Sequence, residues 1–157
     1  MDLLFFLFGF TGRINRGKYW LALVLYTAAW IAFAVVAIKL LRVLDKDDPF
    51  DFLGGGLALW VSGLSLALMV LWSSLATGVK RLHDRDKSGW WILLFWFGPS
   101  LLGGSNQTME DSPVSLVLAL IGLGIAIWGF VELGCLRGTR GPNQYGTDPL
   151  EPQGTLT

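Results

Sequence analysis

Phe52–Val79, FLGGGLALWVSGLSLALMVLWSSLATGV, contains no charged side chain, and Lys80-Arg81-Leu82-His83-Asp84-Arg85-Asp86-Lys87 follows it at once. As a helix rising ~1.5 Å per residue, the uncharged stretch would be about 42 Å long. That exceeds the roughly 30 Å hydrocarbon core of a bilayer. The abrupt change from apolar to charged is what a helix leaving a membrane requires. Three more windows lack charge: Tyr19–Ile38, Ser88–Met109 and Ser112–Val131. The third window in chain order is the weakest, because its densely apolar part is only Trp90–Leu102 and Pro99 sits inside it beside Gly98. It could cross as a kinked helix over Ser88–Ser105 or be re-entrant.

Composition agrees. Of 157 residues, 53% are hydrophobic and only 15% are charged, against about 25% charged in an ordinary soluble domain. There are too few charges for a polar shell, which excludes a soluble globular domain, a disordered chain and a basic nucleic-acid binder. Twelve Lys and Arg balance twelve Asp and Glu, so net charge says nothing about partners. The single cysteine, Cys135, excludes a disulfide framework and a Cys-based zinc site.

The basic residues are unevenly placed. Arg13, Arg16 and Lys18 precede the first window, Lys80, Arg81, Arg85 and Lys87 link the second to the third, and Arg137 and Arg140 lie in the tail. Lys39, Arg42 and Lys46 are set among Asp45, Asp47, Asp48 and Asp51, with Glu110 and Asp111 on the same predicted side. The positive-inside rule places both termini and the 80–88 link in the cytoplasm. That parity needs an even number of crossings, so the third segment should cross. The expectation is an all-α integral membrane protein, a four-helix transmembrane bundle, N-in/C-in, with helices over about 19–41, 56–80, 88–105 and 113–136. Residues 1–150 form one membrane domain and 151–157 a disordered tail. Met1–Phe10 is apolar but too short to span and lacks signal-peptide features. It is expected along the cytoplasmic interface or under the first helix.

Helices in lipid associate through small residues and polar contacts. Ser115, Ala119, Gly122, Ala126 and Gly129 form such a stripe on the fourth helix, and Ser62, Ser65, Ser73 and Thr77 a candidate one on the second. Extending the fourth stripe reaches Glu132, which should face the interior. An acid at that depth wants a partner, and Arg13, Arg16 and Arg81 are the candidates.

Three polar signatures share the predicted cytoplasmic side. Phe10-Thr11-Gly12-Arg13-Ile14-Asn15-Arg16 leads into Lys18-Tyr19-Trp20, with Asn15 as a helix N-cap. Basic residues in a first helical turn oppose the helix dipole, so Arg16 and Lys18 serve topology or anion capture. In Lys80–Trp91, Lys80 and Arg81 suit a helix C-terminus, and Ser88 is a candidate N-cap. His83, the sole histidine, sits beside Asp84; one His without a usable Cys tells against a closed metal site, and no nucleophile signature is present. Gly138-Thr139-Arg140-Gly141-Pro142-Asn143-Gln144-Tyr145-Gly146-Thr147-Asp148-Pro149 reads as a series of turns, either a clasp folded onto the bundle or a flexible tail. Together Arg13, Arg16, Arg81, His83, Asp84, Glu132, Asn143, Tyr145 and Asp148 form a candidate polar layer, with Tyr19, Trp20, Trp90 and Trp91 as interface anchors. The layer could be a structural lock or a pocket for an anionic group.

The stretches F-T-G-R-I-N-R-G-K-Y-W, R-L-H-D-R-D-K-S-G-W-W and G-T-R-G-P-N-Q-Y-G-T-D-P together resemble the DUF805 family of bacterial inner-membrane proteins, over roughly residues 5–150. The resemblance implies a small multi-helix inner-membrane protein, favours an ordered clasp and leaves the activity open. The acidic Asp45–Asp51 loop and the Gly-Gly-Ser-Asn-Gln link after the third helix are modest departures. Three functions compete. The first is a non-enzymatic module that binds anionic lipid headgroups or a protein partner at the cytoplasmic face. The second is a subunit of a small oligomeric transporter or channel, which needs polar residues near the midplane. The third is an enzyme on a lipid-linked substrate, with His83 and Asp84 in acid–base roles. No cofactor, metal or nucleic-acid partner is expected; the bilayer is, and a homo-oligomer is compatible with the chain.

Overall fold

A computed structural model of the chain describes residues 2–43, 49–104 and 112–151. It is built from α1 (Leu3–Phe8), α2 (Arg16–Val43), α3 (Pro49–Asp84), α4 (Trp91–Gly104) and α5 (Pro113–Phe130), the last continued by a π-helical turn, Val131–Cys135. There is no β-strand among the described residues. Among the described residues three helices are long and apolar enough to cross a membrane: α2, α3 from Leu53 onward, and α5 with its π-turn. The shorter α4 is apolar as well. The chain is an all-α membrane protein.

Helices α2 and α3 overrun their uncharged windows, because absence of charge marks contact with lipid, whereas backbone hydrogen bonding continues past it. Helix α3, expected over 56–80, starts at Pro49 and ends at Asp84; proline suits a first helical position because its missing N–H needs no partner there. Helix α4 begins at Trp91 rather than Ser88. Ser88 instead opens a turn, its Oγ accepting from Trp90 N at 3.5 Å and its carbonyl from Trp91 N at 3.3 Å. Asn15 caps α2 as expected, accepting Lys18 N on Oδ1 at 2.9 Å and contributing about 1 kcal/mol. The expected disordered tail lies, apart from Glu151, outside the described residues, as does Lys46 with Asp45, Asp47 and Asp48.

Two antiparallel hairpins make the body. In the first, Tyr26 Oη meets Ser73 Oγ at 2.7 Å and Phe33 lies over Gly63, where a Cβ would come within 3.1 Å of the ring. In the second, Gly129 sits against Phe95, Gly98 against Ile125 and Gly122 against the Pro99 carbonyl, so the α5 stripe does face a neighbouring helix. On α3 the stripe divides. Ser73 and Thr77 are buried, but Ser62 and Ser65 donate to the Ala58 and Val61 carbonyls of their own helix at 2.7 and 2.8 Å. A lipid-facing serine satisfies itself this way when no neighbouring helix is in reach.

The hairpins meet at one end. Leu82, Ile92, Phe95 and Leu133 form one buried cluster, and Phe6, Ile14 and Ala22 a second, with Tyr19 packed against both. These clusters hold nearly all the buried hydrophobic side chains among the described residues, and the remaining one, Ala76, lies near the same end. Large apolar side chains farther along α3 and α5, such as Trp60 and Leu120, are exposed. The expected single bundle is therefore two hairpins joined at a polar end. The N-terminal segment docks chiefly on α3: Lys80 Nζ donates to the carbonyls of Phe5 and Phe6 at 3.0 and 2.6 Å, and Ser73 Oγ to that of Leu7 at 2.8 Å. The Phe5 carbonyl also accepts from Gly9 N at 3.1 Å, whereas the last carbonyls of so short a helix need partners from outside it.

Candidate functional site

The polar end gathers the start of α2, the end of α3, the start of α4, the π-turn and the tail. Gly12, at φ 87°, takes a left-handed conformation that a side chain would disfavour. The turn sends Arg13 and Ile14 inward, and Ile14 N donates to Lys80 O at 3.4 Å.

Asp84 is the centre. Its Oδ1 accepts from Arg13 Nε at 3.2 Å and its Oδ2 from Arg81 Nη1 at 2.5 Å, with all three side chains almost fully buried. Every guanidinium nitrogen of Arg13 is engaged: Nη1 donates to Gly141 O (2.8 Å) and Gly146 O (3.1 Å), and Nη2 to Thr139 O (2.7 Å). Arg81 donates from Nε to Leu133 O at 2.8 Å and from Nη2 to Leu136 O. A carboxylate shared by two arginines, each also bonded to backbone, meets the condition for a buried charge to be tolerated.

The tail is an ordered clasp. Thr139 N donates to Asp84 O at 2.8 Å and Asn143 Nδ2 to His83 O at 2.9 Å. Asn143 and Gly146 exchange backbone hydrogen bonds around the turn that carries Tyr145. Gly141 and Gly146 have φ of 73° and 135°, conformations that glycine takes without strain. Tyr145 stacks on His83, ring centroids 3.9 Å apart and planes 3° from parallel. Asp148 accepts Leu150 N at 2.9 Å and Gly141 N at 3.2 Å. These amides, the Leu150 one foremost, hold its carboxyl below the ordinary value, and the charges of Arg13 and Arg137 act the same way.

The π-turn presents a row of carbonyls. Those of residues 133 to 137 accept, in order, from Arg81, Trp20, Arg16, Arg81 and Arg85. Helix C-terminal carbonyls need outside donors and favour cations, so much of the arginine content here ties α5 to α2 and α3. Glu132 is buried, as expected, but its partners differ from those expected. Arg85 Nε lies 3.0 Å and Lys87 Nζ 3.1 Å from its Oε1, whereas Arg13 and Arg81 belong to Asp84 and Arg16 to Cys135 O. Lys87 also lies over Trp91 and Trp128, 5.8 and 5.3 Å from the ring centroids.

Of the expected anchors, Trp90 is 78% exposed. Trp20 donates to Gly134 O at 3.0 Å, Trp91 packs edge-on to Trp128, and Tyr19 is half-buried between the clusters. Sequence reasoning missed Thr139, Arg85, Lys87 and Arg137 as members of the site. Thr139 lies within a quoted motif, but no spacing ties it to Asp84.

What remains accessible is narrow. A cleft of about 230 Å³ is lined by Asn15, Arg16, Asp84, Arg137, Gly138 and Asp148, with Leu150 at its edge. Arg16 and Arg137 are exposed. Asp84 is already offset by Arg13 and Arg81, Asp148 brings one further carboxylate near Arg137, and α2 begins at the cleft, so its positive end adds to the two exposed arginines. The arrangement can hold an anion. Among the described residues no cluster of His, Cys, Asp and Glu could hold a metal ion.

The chain belongs to the family described as a protein of unknown function, DUF805, whose model matches residues 7–147. It is 30% identical over 142 residues to the uncharacterized protein YiiR of Escherichia coli, covering 90% of this chain and 86% of that one. It is 31% identical over 146 residues to the inner membrane protein YhaH of the same organism (92% and 90%), and 27% identical over 141 residues to the inner membrane protein YhaI (90% and 86%). No solved structure matches the chain.

Proposed function

We propose that the protein is a non-enzymatic inner-membrane module, both termini cytoplasmic, whose polar end holds the phosphate of an anionic lipid headgroup in the cleft between Arg16 and Arg137. The inner membrane follows from the names of YhaH and YhaI. The basic residues concentrated at the polar end support the orientation. Parity supports four crossings: α2 begins, α3 ends, α4 begins and α5 ends at the same end of the molecule. Helix α4, about 21 Å long, is short for a crossing, and its contacts along α5 supply a partner for most of its length.

One observation carries the ligand reading. Beneath the cleft Arg13 and Arg81 are consumed by Asp84 and backbone carbonyls, whereas Arg16 has one guanidinium nitrogen on Cys135 O and Arg137 faces the cleft. Two arginines and the start of α2 outweigh Asp148, the one cleft carboxylate without an ion pair beneath it, and offer bidentate phosphate binding at headgroup depth.

The test is thermal unfolding of the protein in phosphatidylcholine nanodiscs, alone, with phosphatidylglycerol, and with inorganic phosphate. A ligand present at 100 times its dissociation constant should stabilise the fold by roughly 2.7 kcal/mol. Stabilisation by phosphatidylglycerol that Arg16→Ala/Arg137→Ala abolishes supports the reading; a similar response to phosphate alone points to a soluble anion. No selective shift, or one the double variant keeps, overturns it.

A further inference from the structure

A second cavity, of about 400 Å³, opens between α3 and α4 and has a different chemistry from the arginine cleft. Leu75, Val79, Ile92 and Leu93 form its apolar wall, and Trp90, 78% exposed, stands at its rim. His83, Ser88 and Tyr145 line it at the polar end of the molecule, since Leu75 lies two helical turns deeper than His83 along α3. No charged side chain lines it.

The three polar groups have capacity left over. His83 Nδ1 faces the Gly12 carbonyl at 3.3 Å. That oxygen only accepts, so Nδ1 carries the proton and the Nε2 of the neutral ring offers a lone pair. The Tyr145 ring is fixed on the imidazole at 3.9 Å, and its hydroxyl bonds to nothing among the described residues. Ser88 Oγ has only the long contact from Trp90 N.

We infer that this cavity binds an uncharged lipid carrying a free hydroxyl, its tail along the apolar wall and its hydroxyl donating to His83 Nε2 while accepting from Ser88 or Tyr145. A carboxylate or phosphate head would find no cation there, and a plain hydrocarbon would leave the polar end without a partner. The inference shares the membrane orientation of the proposed function but none of its arginines.

Protein in phosphatidylcholine nanodiscs is photolabelled with a diazirine-bearing hexadecanol, and in parallel with the matching hexadecane and hexadecanoic acid, and the adducts are mapped by peptide mass spectrometry. The alcohol should label peptides holding residues 75–93 or Tyr145 roughly fivefold more than the alkane for each hydrogen bond made. Competition by a monoacylglycerol or by an isoprenoid alcohol then distinguishes the two sources of such a head. His83→Phe keeps a ring for Tyr145 to stack on and should bring labelling down to the alkane level. Ser88→Ala with Tyr145→Phe should lower it too, which covers the case where His83→Phe does not fold. Arg16→Ala/Arg137→Ala should leave it unchanged. Equal labelling by alcohol and alkane, equal labelling by the acid, or variants that label as wild type does would overturn the inference.

Discussion

The polar end and the lipid-facing halves of the hairpins are held together by different physics. At the polar end, segments far apart in sequence are tied by side chains to backbone: Arg13 to the 139–146 clasp, Arg81 and Arg85 to the π-turn, Lys80 to α1. In the lipid-facing halves, contacts are pairwise, α2 on α3 and α4 on α5, and large apolar side chains such as Leu57, Trp60 and Leu120 are exposed. Lipid tails are as apolar as leucine, so hydrophobicity does not draw helices together there. Where water and headgroups begin, charged hydrogen bonds can fix which helix lies beside which. The difference teaches that the fold is specified mainly at its polar end.

The largest test of that contrast is Asp84→Asn. Removing the carboxylate leaves Arg13 and Arg81 buried without their counter-charge, and breaking such a buried group should cost about 3–5 kcal/mol. Ser62→Ala, in the lipid-facing part of α3, should change stability by less than about 0.5 kcal/mol. Unfolding midpoints of the two variants in the same nanodisc measure both. Equal effects would mean that stability is spread evenly along the molecule.

A close second concerns Gly138, where an added Cβ would overlap the Asp84 carboxylate. Gly138→Ala should therefore destabilise strongly by itself and much less in an Asp84→Ala background. A coupling of about 1–3 kcal/mol in the double-mutant cycle is expected. Additive losses would separate the clasp from the buried ion cluster.

Within the second hairpin the scale is smaller. A Cβ at Gly129 would lie 2.9 Å from the Phe95 ring, whereas at Gly124 nothing lies within 4 Å. Gly129→Ala should cost about 1–3 kcal/mol through overpacking. Gly124→Ala should be neutral or stabilise by up to about 1 kcal/mol, because glycine is a poor helix former. The sign difference between two glycines on one helix is the readout, and two losses of equal size would remove the α4 contact as the cause.

Much of this was legible in the sequence because it is local. Charge-free runs located the helices, Asn15 its cap, the Ser115–Gly129 stripe a packing face, and the glycines of 138–146 a series of turns that left a clasp and a flexible tail both open until the family resemblance favoured the clasp. The pairings were not legible. Arg13 and Asp84 lie 71 positions apart, and nothing in their spacing excludes Glu132 as the partner of Arg13. Glu132 selects Arg85 and Lys87 because the α3–α4 link passes it, a fact of tertiary path. Lys80 read as a helix-end cation, yet its ammonium caps α1, because a six-residue helix has carbonyls to satisfy. Ser62 and Ser65 matched the small-residue pattern as well as Ser73 and Thr77 did. Which of them met a neighbour depended on where the hairpins join.

The smallest effect bears on whether the clasp belongs to the polar end or merely rests on it. Asp148 holds its proton less readily than an ordinary aspartate, whose value is 3.8, because Leu150 N and Gly141 N donate to the charged form. A depressed carboxyl contributes stability above its unfolded value, and that contribution is lost as pH falls through the lower, folded one. Acidification below about pH 4 should speed amide exchange at Gly141 and Leu150, and Asp148→Asn should flatten that dependence. Arg13 still holds the Gly141 and Gly146 carbonyls, so helix protection should stay unchanged over the same range. If protection at Leu82 and Leu133 fell together with that at Leu150, clasp and polar end would open as one unit. The contrast would then lie between a cooperative end that includes the tail and two independent hairpins.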